Sequence, residues 1–315
     1  MVDDEINNSK SKTKKNRRSL RKNKTKKCAR KLILVGFNSA GLSSKLDSFD
    51  HILTTIQPSV FFIQETKLRK QGKIKTQNSK NYQIFELVRK DKQGGGLAIG
   101  VVKDLEPVWI SEGDDNIEVL VVEIKIEDLK TRCICAYGPQ EKDSQDKKLN
   151  FWARLSEEVR ESEENESAII IQMDGNLWAG EEIIQEDPNN CNANGKLLKE
   201  FLLQHPNLTV VNSLEICEGK ITRRRITKKK TEEAILDFFI VCKKIAAFIE
   251  RMIIDEEKQF PLSRYTKNGK KHSDHNSMIL YLDIDYYLKK PDRKELFNFK
   301  NVECQKAFFS ENGTF

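Results

Sequence analysis

Short apolar runs rich in β-branched and aromatic residues recur along the chain from residue 32 to residue 282. Runs of this length and composition predict buried strands. Apolar residues at helical spacing separate some of these runs, so strands and helices share one folding unit. We expect strands over 32–37, 60–63, 82–88, 96–102, 117–126, 132–136, 168–173, 208–211, 235–241 and 278–282.

Helical patterns cover residues 44–53, 150–162 and 195–204. Four of the strands, between residues 82 and 136, follow one another without a helix, which predicts an antiparallel segment. Strands in long runs with helices between some of them are typical of two sheets packed face to face. The sequence therefore predicts a four-layered α/β sandwich, in which two packed mixed β-sheets are flanked by helices.

The net charge of +7 is located in one segment of the chain. Residues 10–31 carry 13 basic side chains and no acid, whereas residues 32–315 hold 42 basic and 45 acidic side chains. A segment with almost no apolar residues cannot offset the entropy of ordering. We therefore expect a disordered basic arm over 1–31 and a folded domain over 32–283. Residues 284–315 are expected to be a charged linker, and their lack of an evident structural ending is typical of a fragment.

Several protein classes are disfavoured by simple counts. The seven cysteines are an odd number without CxxC spacing, which argues against a disulfide scaffold or a zinc site and for buried free thiols in a reducing compartment. No apolar run approaches the ~18 residues of a membrane-spanning helix. The N-terminus also lacks the apolar region of a secretory signal.

Polar residues of the kinds used in catalysis stand at or near the ends of the predicted strands. Taken singly, most have an ordinary interpretation as turn formers or solvated loop residues. Asp237 is different, because a carboxylate between Leu236 and Phe238 in an apolar strand needs a partner. The set consists of Asn38, Glu65, Tyr137, Asp174, Asn176, Asp237, Asp274 and His275.

Taken in order, these motifs resemble the endonuclease/exonuclease/phosphatase superfamily, which includes apurinic-type repair endonucleases, pancreatic deoxyribonuclease and the endonuclease domains of non-LTR (LINE-type) retrotransposons. The resemblance covers residues 31–282, about four-fifths of the chain. It implies catalytic roles for Asp174, Asn176, His275, Asp237 and Tyr137, and a metal site at Glu65, Asn38 and Asp274. The chain departs from the family pattern at Met173, which replaces a glycine, and at Ala40, where repair endonucleases often carry an aspartate.

Within the superfamily, the sequence is most similar to the retrotransposon branch. Residues 192–198 after the Asp174 motif, and residues 220–223 ahead of Asp237, are similar to LINE-type domains. By this resemblance Thr222 is the threonine near the active site, and it is expected to bind substrate. The neighbouring basic residues Arg223, Arg224 and Arg225 are expected to bind substrate phosphates, together with Lys220, Lys228, Lys229 and Lys230.

Phosphodiester hydrolysis needs a positioned water, charge neutralisation at the phosphoryl oxygens and stabilisation of the leaving alkoxide. Mg²⁺, with Mn²⁺ as a substitute, suits a site with one or two carboxylates and several waters. The resemblance implies that His275, held by Asp237, acts as a cation or as a base, and the sequence does not decide between these roles. DNA is the expected partner, element RNA could bind the basic arm, no membrane is expected, and the expected location is the nucleus.

Four functions remain open from the sequence. The first is a DNA-nicking endonuclease of a retrotransposon protein that primes reverse transcription at the nick. The second is a repair enzyme for abasic DNA, which Ala40 disfavours. The third is a phosphatase for lipids or inositol phosphates, which leaves the basic arm unexplained. The fourth is a decayed element product that only binds nucleic acid.

Overall fold

The computed structural model describes residues 31–89, 94–113, 117–227, 230–267 and 269–285. The strands of these residues are, in chain order, β1 (Lys31–Asn38), β2 (Val60–Gln64), β3 (Tyr82–Leu87), β4 (Leu97–Val102), β5 (Val108–Glu112), β6 (Glu118–Ile126), β7 (Leu129–Tyr137), β8 (Ala168–Asp174), β9 (Leu208–Val210), β10 (Cys217–Glu218), β11 (Arg223–Ile226), β12 (Thr231–Ala234), β13 (Asp237–Cys242), β14 (Ile249–Ile254), β15 (Ser263–Thr266), β16 (Gly269–His272) and β17 (Met278–Asp283). The α-helices are α1 (Leu46–Thr55), α2 (Gln145–Glu164), α3 (Ala193–Gln204) and α4 (Lys243–Ala246).

Two large mixed sheets form the centre of the molecule. The seven-stranded sheet has the order β10-β14-β17-β1-β2-β4-β3, with β1 parallel to β2 and antiparallel to β17. The six-stranded sheet has the order β5-β6-β7-β8-β13-β9, with β7 parallel to β8 and β13 antiparallel to β8. In each sheet the central strands are mainly apolar and almost wholly buried, because both of their faces are covered.

The two sheets pack face to face, and helices cover their outer faces. Phe62 of β2 packs edge-on against Phe239 of β13, with ring centroids 6.0 Å apart. Gly36 in β1 permits the close approach, since a Cβ there would lie 2.4 Å from the Gln172 side chain of β8. On the far side of the seven-stranded sheet, Phe49 of α1 packs on Phe61, with centroids 5.1 Å apart.

The six-stranded sheet is covered by three helices. Helix α2 contacts β6 and β8, α3 packs against α2 through Trp152 and Phe201, and α4 contacts β8 and β13. Together with α1 on the opposite side, this gives four layers and confirms the predicted α/β sandwich. No helix in the described ranges is long and apolar enough to cross a membrane. Cys133 and Cys135 are buried free thiols in β7.

All ten predicted strands and all three predicted helices are found, with bounds shifted by up to a few residues. The pairs formed by the strands between residues 82 and 136 are antiparallel, as predicted, but the strands are divided between the two sheets. β3 pairs with β4 in the seven-stranded sheet, whereas β6 pairs with β7 in the six-stranded sheet. The predicted arm over 1–31 lies almost wholly outside the described residues, as does nearly all of the predicted linker over 284–315.

Two small hairpins leave the sandwich on either side of the segment that carries His275. The β11–β12 hairpin is antiparallel with Arg224 opposite Glu233, in the stretch whose basic residues were expected to bind substrate phosphates. The β15–β16 hairpin pairs Arg264 with Lys271 and Tyr265 with Lys270. Neither hairpin, nor the short edge strand β5, nor β14 beside β17, was predicted from the apolar pattern.

Candidate active site

The predicted catalytic residues meet at one rim of the sandwich because of how the strands are aligned. Asn38 is the last residue of β1, where it is level with Gln64, and Glu65 follows directly. In the other sheet, Asp174 is level with both Tyr137 and Asp237. These strand ends face each other across the two sheets, so side chains far apart in sequence converge on rigid supports.

Asn38 links the two sheets at this rim. Its Nδ2 donates to Asp174 Oδ2 at 2.7 Å and to Glu65 Oε1 at 3.1 Å. Its Oδ1 accepts from the backbone N–H of Ala40 at 2.8 Å, which fixes the orientation of the amide. The predicted role of Asn38 as a metal ligand stays a prediction. Its oxygen is turned towards Ala40, and its amide nitrogen holds the two acids.

Glu65 is an ionised carboxylate held by three donors. Tyr137 donates its hydroxyl to Oε1 at 2.9 Å, Asn38 donates to the same oxygen, and Lys67 Nζ lies 2.6 Å from Oε2. Burial alone would raise the pKa of Glu65, but the hydrogen bonds from Lys67 and Asn38 hold it below the usual value. The residue also has a left-handed backbone with φ of 49°, which costs free energy and is common at functional sites.

A hard divalent cation suits this donor set. Mg²⁺ binds carboxylate oxygens and keeps several waters, so a single ionised glutamate that lines an open cleft is an adequate protein contribution. The cleft is lined by Glu65, Lys67, Tyr137, Arg89 and Glu118 among others, and has a volume of about 370 Å³. Glu65 would hold the ion, and Asn38 and Tyr137 would keep its carboxylate in place. A larger cavity, of about 600 Å³ between α2 and α3, lies away from these residues.

Asp174, His275 and Asp237 form a buried chain of charges. His275 Nδ1 lies 2.9 Å from Asp237 Oδ2, and His275 Nε2 lies 3.9 Å from Asp174 Oδ2. Burial and the charge of Asp237 raise the pKa of Asp174 above the usual carboxylate range. Although burial favours the neutral imidazole, the charge and hydrogen bond of Asp237 raise the pKa of His275. The arrangement supplies a carboxylate that can take a proton near neutral pH beside a cationic imidazole.

These three residues also have the composition of a metal-binding group. One potential ligand atom from each of Asp174, Asp237 and His275 lies within 4.8 Å of the others. Asn176, two residues after Asp174, donates its backbone N–H to Asp174 Oδ1 at 3.0 Å and its side-chain Nδ2 to Gly138 O at 2.9 Å. Its left-handed φ of 47° turns the chain so that both contacts form.

Two further predicted site residues, Asp274 and Thr222, are held by contacts within the protein. The Asp274 carboxylate accepts from Arg223 Nε at 3.0 Å and forms an ion pair with it, and its role as a metal ligand stays a prediction. Thr222 is fully buried, and its Oγ1 accepts from the backbone N–H groups of Leu236 and Asp237 at 2.8 and 3.0 Å. Thr222 therefore positions Asp237 through these two hydrogen bonds, and its predicted contact with substrate stays a prediction.

The basic cluster at 220–230 is largely neutralised by acids. Arg224 pairs with Glu233 and Glu256, and Arg223 pairs with Asp274. Lys230 pairs with Glu232, and Lys220 pairs with Glu186. Arg225 is exposed and lies opposite Glu232 across the hairpin. Lys228 and Lys229 lie outside the described residues.

Two lysines that the sequence analysis did not select also belong to the site. Lys67 forms the ion pair with Glu65 described above. Lys258 donates its Nζ to the backbone oxygens of Ser273 and His275, at 3.0 and 2.8 Å, and burial lowers its pKa to about 8. The proximity of Lys67 to Glu65 in sequence was a usable signal, whereas nothing in the sequence placed Lys258 beside His275.

Solved structures of nucleases share this fold. The endonuclease domain of TRAS1, a telomere-specific non-LTR retrotransposon, matches with a TM-score of 0.56 and 16% identity over 80% of this chain and 98% of that chain. The 3'-5' exonuclease NExo from Neisseria meningitidis matches with 0.61 and 18%, over 80% and 100%. An AP endonuclease from Archaeoglobus fulgidus matches with 0.58 and 18%, over 80% and 100%.

No protein-family model matches the sequence, and no curated protein matches it either. The identities to the solved structures are low, so what they establish is the architecture. The matches cover 80% of this chain and 98–100% of the solved chains, so nearly the whole of each solved domain corresponds to this fold. The chain therefore has the fold of the endonuclease/exonuclease/phosphatase superfamily, as its motifs indicated.

Proposed function

We propose that this protein is a metal-dependent phosphodiesterase that nicks DNA. The observation that carries the proposal is the position of Asp174, whose Oδ2 accepts from Asn38 while lying 3.9 Å from His275 Nε2. Asn38 in turn holds Glu65, so a cation site and a proton-transfer site share one residue. Structures of the same fold include an AP endonuclease and an endonuclease domain of a retrotransposon.

Each residue has a defined part in the hydrolysis. Asp174 accepts the proton of the attacking water, which adds to phosphorus as one phosphorus–oxygen ester bond breaks. His275, held by Asp237, places positive charge beside the phosphoryl oxygens, and Tyr137 and Asn176 orient them. A divalent cation bound at Glu65 supplies further charge neutralisation. We propose Mg²⁺ as that cation, with Mn²⁺ able to substitute.

A nicking assay on supercoiled plasmid tests the proposal. With Mg²⁺, Asp174→Asn and His275→Ala should each lower the nicking rate by about 10²-fold or more, since each removes a preorganised charge partner. The matched controls are Asp128→Asn and His51→Ala, which change exposed residues outside the site. EDTA should abolish nicking by the wild type. Full activity in EDTA, or in both site variants, would contradict the assignment.

The same assay separates the alternative substrates. We propose that intact duplex DNA is cut at flexible pyrimidine–purine steps, which are cheaper to bend than other steps. An abasic site should then increase the rate by less than about tenfold, a barrier difference of ~1.4 kcal/mol. A gain of several orders of magnitude on abasic duplex would move the protein to the repair class. Release of phosphate from inositol phosphates without DNA nicking would indicate the phosphatase class.

We further propose that the chain is the endonuclease part of a non-LTR retrotransposon protein. The support is the similarity of residues 192–198 and 220–223 to LINE-type domains in sequence, together with the similarity in fold to the TRAS1 endonuclease domain. In this context the basic residues 10–31 would add DNA or element RNA affinity and nuclear targeting. A transcript whose reading frame continues into a reverse transcriptase would support this, and one encoding only unrelated sequence beyond residue 315 would contradict it.

A further inference from the structure

The β15–β16 hairpin is anchored at the rim of the candidate active site. Its first strand begins at Ser263, whose N–H donates to Ser48 Oγ at 3.1 Å. Its second strand ends at His272, and the next residue, Ser273, donates its hydroxyl to the backbone oxygen of Asn38 at 3.0 Å. His275 follows two residues later. The base of this hairpin is therefore fixed to the same residues that hold the acids.

The hairpin carries positive charge without any acid. Residues 263–272 contain Arg264, Lys267, Lys270 and Lys271 and no Asp or Glu. All four of these side chains are exposed. Among the ion pairs formed by the described residues, none involves a cation of this hairpin. Without a ligand, the hairpin therefore has four cationic side chains and no acidic side chain of its own to pair with them.

The pairing of the two strands makes this charge more significant. Arg264 lies directly opposite Lys271, so two cations are neighbours on one face. Like charges opposite each other destabilise a strand pair. An anion between them would remove this repulsion, and a phosphate accepts hydrogen bonds from both Arg and Lys. Arg264 is also close enough to the buried Lys45 to contribute to lowering its pKa, after the larger effect of burial, which places the charge near the rim.

The opposite face of the hairpin has an apolar contact surface. Tyr265 lies opposite Lys270 and is 81% exposed, the largest exposure among the large apolar side chains of the described residues. An aromatic ring beside cations, without protein packing, is typical of surfaces that contact nucleic-acid sugars and bases. Each strand has four residues and extends about 13 Å, roughly the axial rise of four base pairs.

We propose that the β15–β16 hairpin is a second DNA-binding arm that enters a groove of the duplex beside the scissile bond, with Arg264 and Lys271 on one face against a backbone phosphate of one strand and Tyr265 on the opposite face against a sugar of the other strand. This inference rests on the proposed function, since it takes the substrate to be DNA. It assigns phosphate binding to a segment outside the basic arm and outside the cluster at 220–230. The contacts are with the backbone, so they add affinity without sequence preference.

Fluorescence anisotropy with a labelled 30-base-pair duplex in EDTA measures binding without cleavage. The test variant is Arg264→Gln/Lys270→Gln/Lys271→Gln. Its control is Lys103→Gln/Lys125→Gln/Lys130→Gln, which removes three exposed lysines at the opposite end of β4, β6 and β7. The hairpin variant should bind about tenfold or more weakly near 0.1 M salt, and its log affinity against log salt should be shallower by up to ~3. The control should retain the wild-type slope.

Separate readouts distinguish failure of this inference from failure of the proposed function. If the wild type nicks plasmid but the hairpin variant keeps its affinity and salt slope, the DNA-binding arm is refuted and the function stands. If the variant loses affinity while the wild type nicks nothing, the arm is supported and the nuclease assignment fails.

Lys271→Glu is the second variant. It places an acid opposite Arg264, so thermal melting should be unchanged or higher while DNA binding is weaker than in wild type. Unchanged binding by this variant would also refute the arm.

Discussion

The two hairpins beside His275 have similar numbers of basic residues in their described parts but opposite charge environments. In the β11–β12 hairpin, Arg224 pairs with Glu233 on the facing strand, and Lys230 pairs with Glu232. In the β15–β16 hairpin, Arg264 faces another cation, Lys271. The first hairpin supplies its own counterions, whereas the second has none. A ligand phosphate must therefore displace acids at the first, but it completes the charge balance at the second.

This difference changes where DNA affinity should be located. Exposed ion pairs contribute about 0–1 kcal/mol each, so they can be exchanged for phosphate contacts with little net gain. Cations without partners release counterions on binding and give the full salt-dependent term. A count of Lys and Arg along the chain favours the stretch at 220–230, but the pairing of the strands favours 263–272. Charge becomes informative for binding only when the partners of each side chain are known.

The largest effect is expected at Thr222, where the β11–β12 hairpin joins the sandwich. Thr222 Oγ1 accepts from the buried N–H groups of Leu236 and Asp237, so Thr222→Val would leave two donors without an acceptor. The free energy of unfolding should fall by about 2–3 kcal/mol, and nicking should fall because Asp237 loses its positioning residue. Thr222→Ser keeps the oxygen and should retain both properties. Urea denaturation and the plasmid assay measure the two effects.

The corresponding change in the other hairpin should be smaller. Ser263 Oγ lies 2.7 Å from His272 Nδ1, but His272 is exposed and can bond to water instead. Ser263→Ala should therefore lower the free energy of unfolding by under about 1 kcal/mol. If Thr222→Val and Ser263→Ala lower the free energy of unfolding equally, the hydrogen bonds of Thr222 stabilise the fold no more than the partly exposed hydrogen bond of Ser263.

The sequence predicted most of the fold and most of the site, for a physical reason that the residues make clear. Asn38, Tyr137 and Asp174 stand at the ends of apolar strands, so the same pattern that predicts the strands also locates their rim. The roles of Thr222 and Asp274 could not be predicted in this way. Whether a hydroxyl faces solvent or a backbone N–H, and which cation meets a carboxylate, depends on strand register and turn geometry.

The unpredicted strands have a related explanation. The β15–β16 hairpin is exposed along nearly its whole length, so it has no alternation of apolar and polar residues to reveal it. The β11–β12 hairpin was not predicted for a similar reason, because charged residues stand on both of its strands. Strand β14 was missed although it is paired with β17, because its outer residues include Glu250 and Arg251. Apolar periodicity detects the parts of a sheet that are buried and overlooks those that face solvent.

A second effect, of intermediate size, separates apolar from ionic contacts in the β15–β16 hairpin. Tyr265→Ala should weaken duplex binding by about 1 kcal/mol, roughly fivefold, through loss of the ring contact. Because no charge is removed, the slope of log affinity against log salt should stay at the wild-type value. Tyr265→Phe should bind like the wild type. A shallower slope in Tyr265→Ala would indicate that the hairpin had changed its conformation, and unchanged affinity would remove the ring from the binding surface.

The smallest effect is expected when the β11–β12 hairpin loses its acids and so becomes more like the β15–β16 hairpin in charge. Glu232→Gln/Glu233→Gln removes the acids that pair with Lys230 and Arg224, while their amides can still accept hydrogen bonds. Duplex affinity should increase about three- to fivefold, a gain under ~1 kcal/mol, because each cation then binds phosphate without first leaving an acid. The salt slope should become steeper by up to about 2 as further counterions are released. The control is Glu106→Gln/Glu127→Gln, which removes two exposed acids outside the site, and it should bind like the wild type. If the two pairs of substitutions raise affinity equally, net charge alone governs binding, and the contrast between the hairpins has no consequence for DNA.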